Sequence, residues 1–264
     1  MKKNFVKIIC AVTAMILVVL ALASCGTAKE TFTVGFDSEF PPYGYVDEKG
    51  EYAGFDLDLA REVAKRNGWE IKLKPIDWDT KDFQLSSGAI DCIWNGFTIN
   101  GREDAYTWSD AYVDNSQVIV VAASSGITKL SDLAGKIVAV QTDSSAEAVL
   151  KDDEDEEMKA LAASFASIKD YGDYNTAFLA LESGTVDAVA MDIGVAKYQI
   201  ESRGSKYVIL SEQLASEDYG IGFLLGNTEL KDKVCKTVKE MMKDGTFKKI
   251  AEKYGLTDSI KIWD

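Results

Sequence analysis

Two stretches of this chain repeat one another. Leu85-Ser-Ser-Gly88-Ala-Ile-Asp91-Cys92-Ile93 is echoed by Leu181-Glu-Ser-Gly184-Thr-Val-Asp187-Ala188-Val189. Each reads as a helix end, a glycine stop, an acidic turn and a buried strand. A helix–strand junction used twice predicts two similar α/β lobes. In open α/β sheets, ligands bind outside the carboxyl ends of the strands. The residues just past the two predicted strands are Asn95, Gly96, Thr98 and Arg102 in one half, and Met191 and Asp192 in the other. One half offers a cation and the other an anion, a pairing that suits a zwitterion held between lobes.

The N-terminus reads as a targeting segment. Lys2, Lys3 and Lys7 make a positive start, and Ile8 to Leu22 is an apolar run. Leu22-Ala23-Ser24-Cys25-Gly26 resembles a bacterial lipobox. In that reading residues 1–24 are a lipoprotein-type signal peptide, Cys25 is lipidated at thiol and amine, and residues 25–30 are a short tether. A plain transmembrane anchor is the alternative, since the apolar run is nearly long enough to span a bilayer. A small-residue end is a poor membrane flank, however, and either way the remainder is held outside the cytoplasmic membrane. Removing the three lysines from 29 basic residues leaves 26 against 43 acidic, a net charge of −17. Such acidity excludes nucleic acid as a natural partner.

The 264 residues contain no histidine. Ser-His-Asp and Cys-His nucleophile systems and His-ligated metals are thereby excluded. Carboxylate pairs still allow acid–base work. Of four cysteines, Cys10 leaves with the signal and Cys25 takes the lipid, while Cys92 and Cys235 lack Cys-x-x-Cys spacing and read as separate buried thiols. The run Asp152-Asp-Glu-Asp-Glu-Glu157 lacks the alternating ligands and glycine turn of a calcium loop, so it reads as a solvated surface segment. No cofactor is expected.

Along the chain, Phe32 to Phe36 and Ile71 to Lys74 predict strands. Asp56 to Asn67 predicts a helix with leading acids, trailing Lys65 and Arg66, and Gly68 as its stop. A helix near Asp79 to Ser86 leads to a strand at Ala89 to Trp94, a βαβα pattern that implies a mostly parallel sheet. Asp114 to Gln117 precedes the apolar run Val118 to Val121, the first predicted crossing between lobes. The second lobe follows with strand Ile137 to Val140, helix Ala146 to Lys151, helix Tyr174 to Ser183 and strand Ala188 to Met191. Tyr219 to Phe223 reads as the return crossing, and two amphipathic helices close the chain.

Gly54-Phe-Asp-Leu-Asp-Leu-Ala60, Gly96-Phe-Thr-Ile99, Trp108-Ser-Asp-Ala-Tyr112 and Val138-Ala-Val-Gln-Thr142 stand in the order seen in the polar amino-acid solute-binding proteins of ABC importers, family 3, which this chain resembles over nearly all its length after the leader. The resemblance implies the two-lobed α/β type II periplasmic-binding fold, with mixed, mostly parallel sheets and two hinge crossings. Lobe 1 would be residues 31–115 and 222–264, and lobe 2 residues 116–221. It also implies site roles. Arg102, with Thr98, Ser144 and Ser145, would hold the ligand carboxylate, and a planar guanidinium matches that group bidentately. The Thr98-to-Arg102 spacing is one residue shorter than the family's. Asp192, with Asn95, Gly96 and Thr98, would hold the ammonium; helix capping is the alternative for Asp192 and for the serines. Phe40 and Trp78 would sandwich the side chain, with Asp37, Glu39 and Gln141 nearby and the two acids favouring a cationic or amide end.

The expected protein is a monomeric, lipid-anchored extracytoplasmic receptor and not an enzyme. It would deliver a polar L-amino acid of the glutamine, basic or cystine class to an ABC permease. A cyclohexadienyl dehydratase-like enzyme, with Glu39 as general acid, and a non-transport sensor are the alternatives on the same fold.

Overall fold

The computed structural model describes residues 29–204 and 206–263. The signal peptide expected at 1–24, Cys25 and most of the tether lie outside the described residues; Lys29 and Glu30 are without regular structure. Among the described residues no helix is long and apolar enough to cross a membrane.

In chain order the elements begin with strands β1 (Thr31–Phe36), β2 (Glu39–Phe40), β3 (Gly44–Val46) and β4 (Tyr52–Ala53), then helix α1 (Phe55–Asn67) and β5 (Glu70–Pro75). Next come α2 (Lys81–Ser86), β6 (Cys92–Thr98), β7 (Thr107–Trp108), β8 (Val113–Ala122), β9 (Ile137–Gln141), α3 (Ser145–Leu150) and α4 (Glu156–Ser164). β10 (Ser167–Tyr171), α5 (Tyr174–Glu182), β11 (Ala188–Asp192), α6 (Ile193–Arg203), β12 (Tyr207–Phe223), α7 (Thr228–Lys243) and α8 (Thr246–Lys253) complete the chain.

The main sheet runs β10-β9-β11-β8-β12-β6-β1-β5, with β7 beside β12. Both flanks are parallel, β1 with β5 and β6, and β9 with β10 and β11. The long strands β8 and β12 pair antiparallel with each other and join the flanks antiparallel, to β11 and β6. This is the type II periplasmic-binding architecture: two α/β halves of one design, linked by two strands that run through both.

The repeat that opens the sequence is repeated in hydrogen bonds. Gly88 and Gly184 take left-handed φ of 72° and 73° after their helices, a conformation that side chains with a Cβ resist. In the first copy, Asp91 accepts the Thr33 N–H at 2.7 Å and its own N–H reaches the Thr33 carbonyl at 2.8 Å. In the second, Asp187 does the same with Ile137, at 2.8 Å each way. The acidic turn thus ties each repeated strand to its parallel neighbour.

Two strand boundaries differ from the sequence reading. The strand expected at Ala89–Trp94 is β6, Cys92–Thr98, buried throughout. Asn95 and Gly96 look like turn residues, but pairing of Thr98 with Tyr219 and of Phe97 with Gly220 carries the strand on past them, with Gly96 at a left-handed φ beside a register shift in the partner strand. So Asn95, Gly96 and Thr98 lie within the strand rather than past it. The return crossing expected at Tyr219–Phe223 is the end of the seventeen-residue β12. Register shifts between Ile209 and Ala215 break its alternation, and period-2 reading fails there.

Two large cores cover the sheet. α1 buries Phe55, Leu57, Leu59, Ala60 and Val63. With Val234, Val238 and Met241 of α7 and Phe247 of α8, most of these join one cluster, at about 1.5–3 kcal/mol for each large side chain. Ile119, Val121, Val138, Val140, Ala188 and Ala190 form another with Leu150 and Met158. The acidic run 152–157 is exposed, and its Asp155 caps α4 by accepting from Glu157 and Met158. Cys92 and Cys235 are free thiols.

Candidate functional site

β11 delivers Asp192 to the N-cap position of α6, yet its carboxylate caps no helix N–H. It accepts instead from Asn115 Nδ2 at 2.8 Å, Gln117 Nε2 at 2.7 Å, Tyr174 OH at 3.2 Å and Tyr219 OH. The same two amides also donate to Glu217 on β12, Asn115 at 2.7 Å and Gln117 at 2.8 Å. Thr98 Oγ1 donates to Glu217 at 3.1 Å and Ser145 Oγ donates to its other oxygen. All of these donors are neutral. Burial, and then the charge of Glu217, push the Asp192 carboxyl up to about 7.

Glu217, Asn115 and Gln117 were not identified from sequence. The usable signal was the alternation of Asn115 and Gln117 ahead of the apolar run Val118–Val121. Residues two apart in a strand share a face, and here they face both carboxylates.

Arg102 follows β6 in a turn closed by its N–H on the Ile99 carbonyl at 2.8 Å. The shortened spacing still lets the side chain reach back. Nη1 donates to the Thr98 carbonyl at 3.5 Å, Nη2 to the Asp143 carbonyl at 3.2 Å, and the guanidinium lies 5.5 Å over the Phe97 ring. Asp143 collects two further contacts from the same side. Trp78 Nε1 donates to its carbonyl at 3.2 Å, and the buried Lys81 pairs with its carboxylate. Lys81, 2% exposed and 5.3 Å over the Trp78 ring, is a cation that sequence reading passed over inside a short helix. Ser144 is a helix cap, its hydroxyl accepting from the Glu147 N–H at 3.1 Å. Ser145, half-buried, opens α3.

Asp37, 5% exposed, accepts from the Glu39 N–H at 2.8 Å and from Gln141 Nε2 at 2.6 Å. Burial raises its carboxyl to about 6. Glu39 is held by Asn175 Nδ2. Phe40 packs 5.8 Å from the Tyr43 ring and 5.9 Å from Tyr174, whereas Trp78 stands edge-on to Phe97 at 5.4 Å. A cavity of about 290 Å³ opens beside Trp78 and Thr142. Asp37, Glu39, Asp77, Asp79 and Asp173 line it, and no lysine or arginine does.

Gly96 is required at its position. Its φ is 56°, and a Cβ there would fall 2.8 Å from Phe40 Cε1 and 2.9 Å from Tyr219 Cε2. Its N–H donates to Asp56 Oδ2 at 2.6 Å, so that donor is committed within the protein. Asp56 reads from sequence as a leading acid of the helix α1; it is fully buried and its carboxyl is raised to about 7. Asn95 is buried with both amide atoms unpaired. Among the described residues no group of three or more Cys, Asp or Glu side chains is arranged to hold a metal.

Comparison with known proteins identifies the family and the fold. Residues 32–257 match the model of the bacterial extracellular solute-binding proteins, family 3. A crystal structure of an ABC uptake transporter substrate-binding protein from Streptococcus pneumoniae with bound histidine is 34% identical, covers 85% of this chain and 92% of its own, and superposes with a TM-score of 0.80. An L-cystine-binding protein of Escherichia coli K12 is 28% identical over 236 residues, 88% of this chain and 85% of that protein. The ancestral amino-acid-binding protein described as a precursor of cyclohexadienyl dehydratase is 30% identical, covers 85% and 95%, and has a TM-score of 0.75. The chain therefore belongs to the bacterial extracellular solute-binding proteins, family 3.

Proposed function

We propose that this protein is a receptor that captures a polar L-amino acid between two lobes, residues 31–115 with 222–264 and residues 116–221, and hands it to an ABC permease. The observation that carries this reading is one chain of contacts: Arg102 donates to the Thr98 carbonyl, the Thr98 hydroxyl donates to Glu217, and Asn115 and Gln117 join Glu217 to the buried Asp192. A guanidinium and a carboxylate held by one network complement the two charges of an amino acid. Arg102, Trp78 and Lys81 already meet Asp143 across the cleft, so ligand contacts on both sides would favour closure by differential affinity. Phe40, Trp78, Asp37, Glu39 and Gln141 form the side-chain end. The adjoining cavity, lined by Asp37, Glu39, Asp77, Asp79 and Asp173 and by no lysine or arginine, favours a basic side chain within the glutamine, basic and cystine classes. Tethering through a lipidated Cys25 and a monomeric state complete the proposal.

A catalyst on this scaffold, the reading suggested by the dehydratase precursor, needs a general acid in the cleft. Glu39 is engaged as an acceptor by Asn175, which opposes that role. The test is calorimetric titration of the purified domain with the common L-amino acids, cystine and ornithine, beside Arg102→Ala. Micromolar binding of one or two, near −8 kcal/mol, is expected. The variant should lose about 2–5 kcal/mol, because a desolvated carboxylate is left unpaired. Failure of every amino acid to bind folded protein overturns the receptor reading, and turnover of an arogenate-like acid would replace it with the enzyme.

A further inference from the structure

Asp192 and Glu217 sit on the two strands that flank β8. Asp192 is opposite Gln117 and Glu217 is opposite Asn115. Asn115 and Gln117 are two residues apart, so they share one face of β8 and hold both carboxylates on that face. Asp192 and Glu217 are each 4% exposed. Neither pairs with a lysine or arginine; their partners are amides, hydroxyls and one another.

The cluster has more acceptors than donors. Asp192 Oδ1 accepts from Asn115, Gln117 and Tyr219, but Oδ2 only from Tyr174. Glu217 Oε1 accepts from Thr98, Asn115 and Gln117, but Oε2 only from Ser145. A carboxylate has about four lone-pair directions over its two oxygens, so Asp192 Oδ2 and Glu217 Oε2 retain capacity. Asn115 Oδ1 and Gln117 Oε1 are also buried without a donor. Two buried carboxyls that raise one another and four under-used acceptors are costly unless a shared proton or a cation rich in N–H groups meets them. An alkylammonium brings one positive charge, three donors and no acceptor.

We propose that Glu217 is a second ammonium-binding residue, and that the Asp192–Glu217 pair grips the ligand α-ammonium from β11 and β12 together. This rests on the amino-acid reading above. It gives β12 a direct hold on the ligand. Because Glu217 also accepts from Thr98 on β6 and Ser145 on α3, ligand charge, the strand that leads into the Arg102 turn and the helix after β9 meet at one side chain.

The rival role for Glu217 is a neutral brace between Thr98 and Ser145. Glu217→Gln separates the two, because glutamine keeps the shape and one oxygen to accept from Thr98, Asn115 and Gln117, while its NH2 can donate to the Ser145 hydroxyl and the charge is removed. Wild type is first titrated at pH 8 with L-arginine, L-histidine, L-glutamine and L-cystine. The tightest binder is then titrated into the variant, and both proteins are melted without ligand. The expected result is at least about 30-fold weaker binding, about 2 kcal/mol, with a melting temperature equal to or above wild type, since one of two like buried charges is gone. Unchanged affinity overturns the proposal, with the receptor reading intact. Weaker binding with a lowered melting temperature assigns Glu217 to bracing and overturns it too. Failure of wild type to bind any of the four removes the amino-acid reading for that set, and the proposal with it.

Discussion

Replacing Asp56 by asparagine should make this protein more stable at pH 8, and by only about a third as much at pH 5. Asp56 is fully buried. Its Oδ2 accepts the Gly96 N–H at 2.6 Å, while Oδ1 faces the Tyr112 hydroxyl in a geometry looser than a formed hydrogen bond. Burial outweighs both neighbours and raises the carboxyl from 3.8 to about 7. Between those values the folded protein holds a proton that the unfolded chain has released. Stability therefore falls as pH rises through that window, and the full penalty applies above it. At 1.36 kcal/mol per unit, a gap of about three units sets a ceiling near 4 kcal/mol, and local relaxation brings the expected gain for Asp56→Asn to about 1–3 kcal/mol at pH 8. At pH 5 both side chains are neutral when folded, but the unfolded aspartate is already ionised, so about a third of the gain remains, and Asn Oδ1 can still accept from Gly96. Urea unfolding at pH 5, 6.5 and 8 reads this directly through tryptophan fluorescence, since Trp94 lies 6.4 Å from the Tyr112 ring. An equal loss of stability at all three pH values would refute the reasoning, because it would mean that Asp56 is ionised throughout and its bond to Gly96 dominates.

Gly96→Ala should destabilise the fold by about 2–4 kcal/mol and weaken ligand binding, since its Cβ meets the Phe40 and Tyr219 rings at a left-handed φ; thermal melts that match wild type would contradict this. Ligand binding at pH 6 should release up to one proton, because an ammonium must displace the proton on an Asp192 carboxyl raised to about 7, and release should vanish by pH 8.5. Calorimetry in buffers of different ionisation heat measures it, and equal release at both pH values argues against the assignment. Asp37→Asn should weaken binding of arginine or lysine about tenfold or more relative to glutamine, since it removes the buried charge at the acidic end; an unchanged selectivity ratio would place the side chain elsewhere.

Much of the molecule was legible before folding. The twin Leu-to-Asp junctions predicted two α/β halves because glycine stops and apolar strand cores are local signals, and Asp91 and Asp187 make matching bonds. The single arginine after β6 and the aspartate ending β11 stood out because a charge beside an apolar strand is conspicuous in one dimension. Glu217 did not stand out. It sits between Ser216 and Asp218 in a polar stretch, and only strand pairing brings it beside Thr98, Asn115 and Gln117.

Local chemistry along the chain determined the family and the two-lobed fold, and it nominated Arg102 and Asp192 as the charged candidates for the site. The three-dimensional fold alone decided which acids are solvated and which are buried. Asp56 and Asp58 are neighbours in one helix turn with the same propensity. One faces the sheet and is fully buried near neutral charge, while the other pairs with Arg61 and Lys253 in reach of solvent. Desolvation depends on what packs against a group from distant parts of the chain, and no spacing in the sequence encodes it.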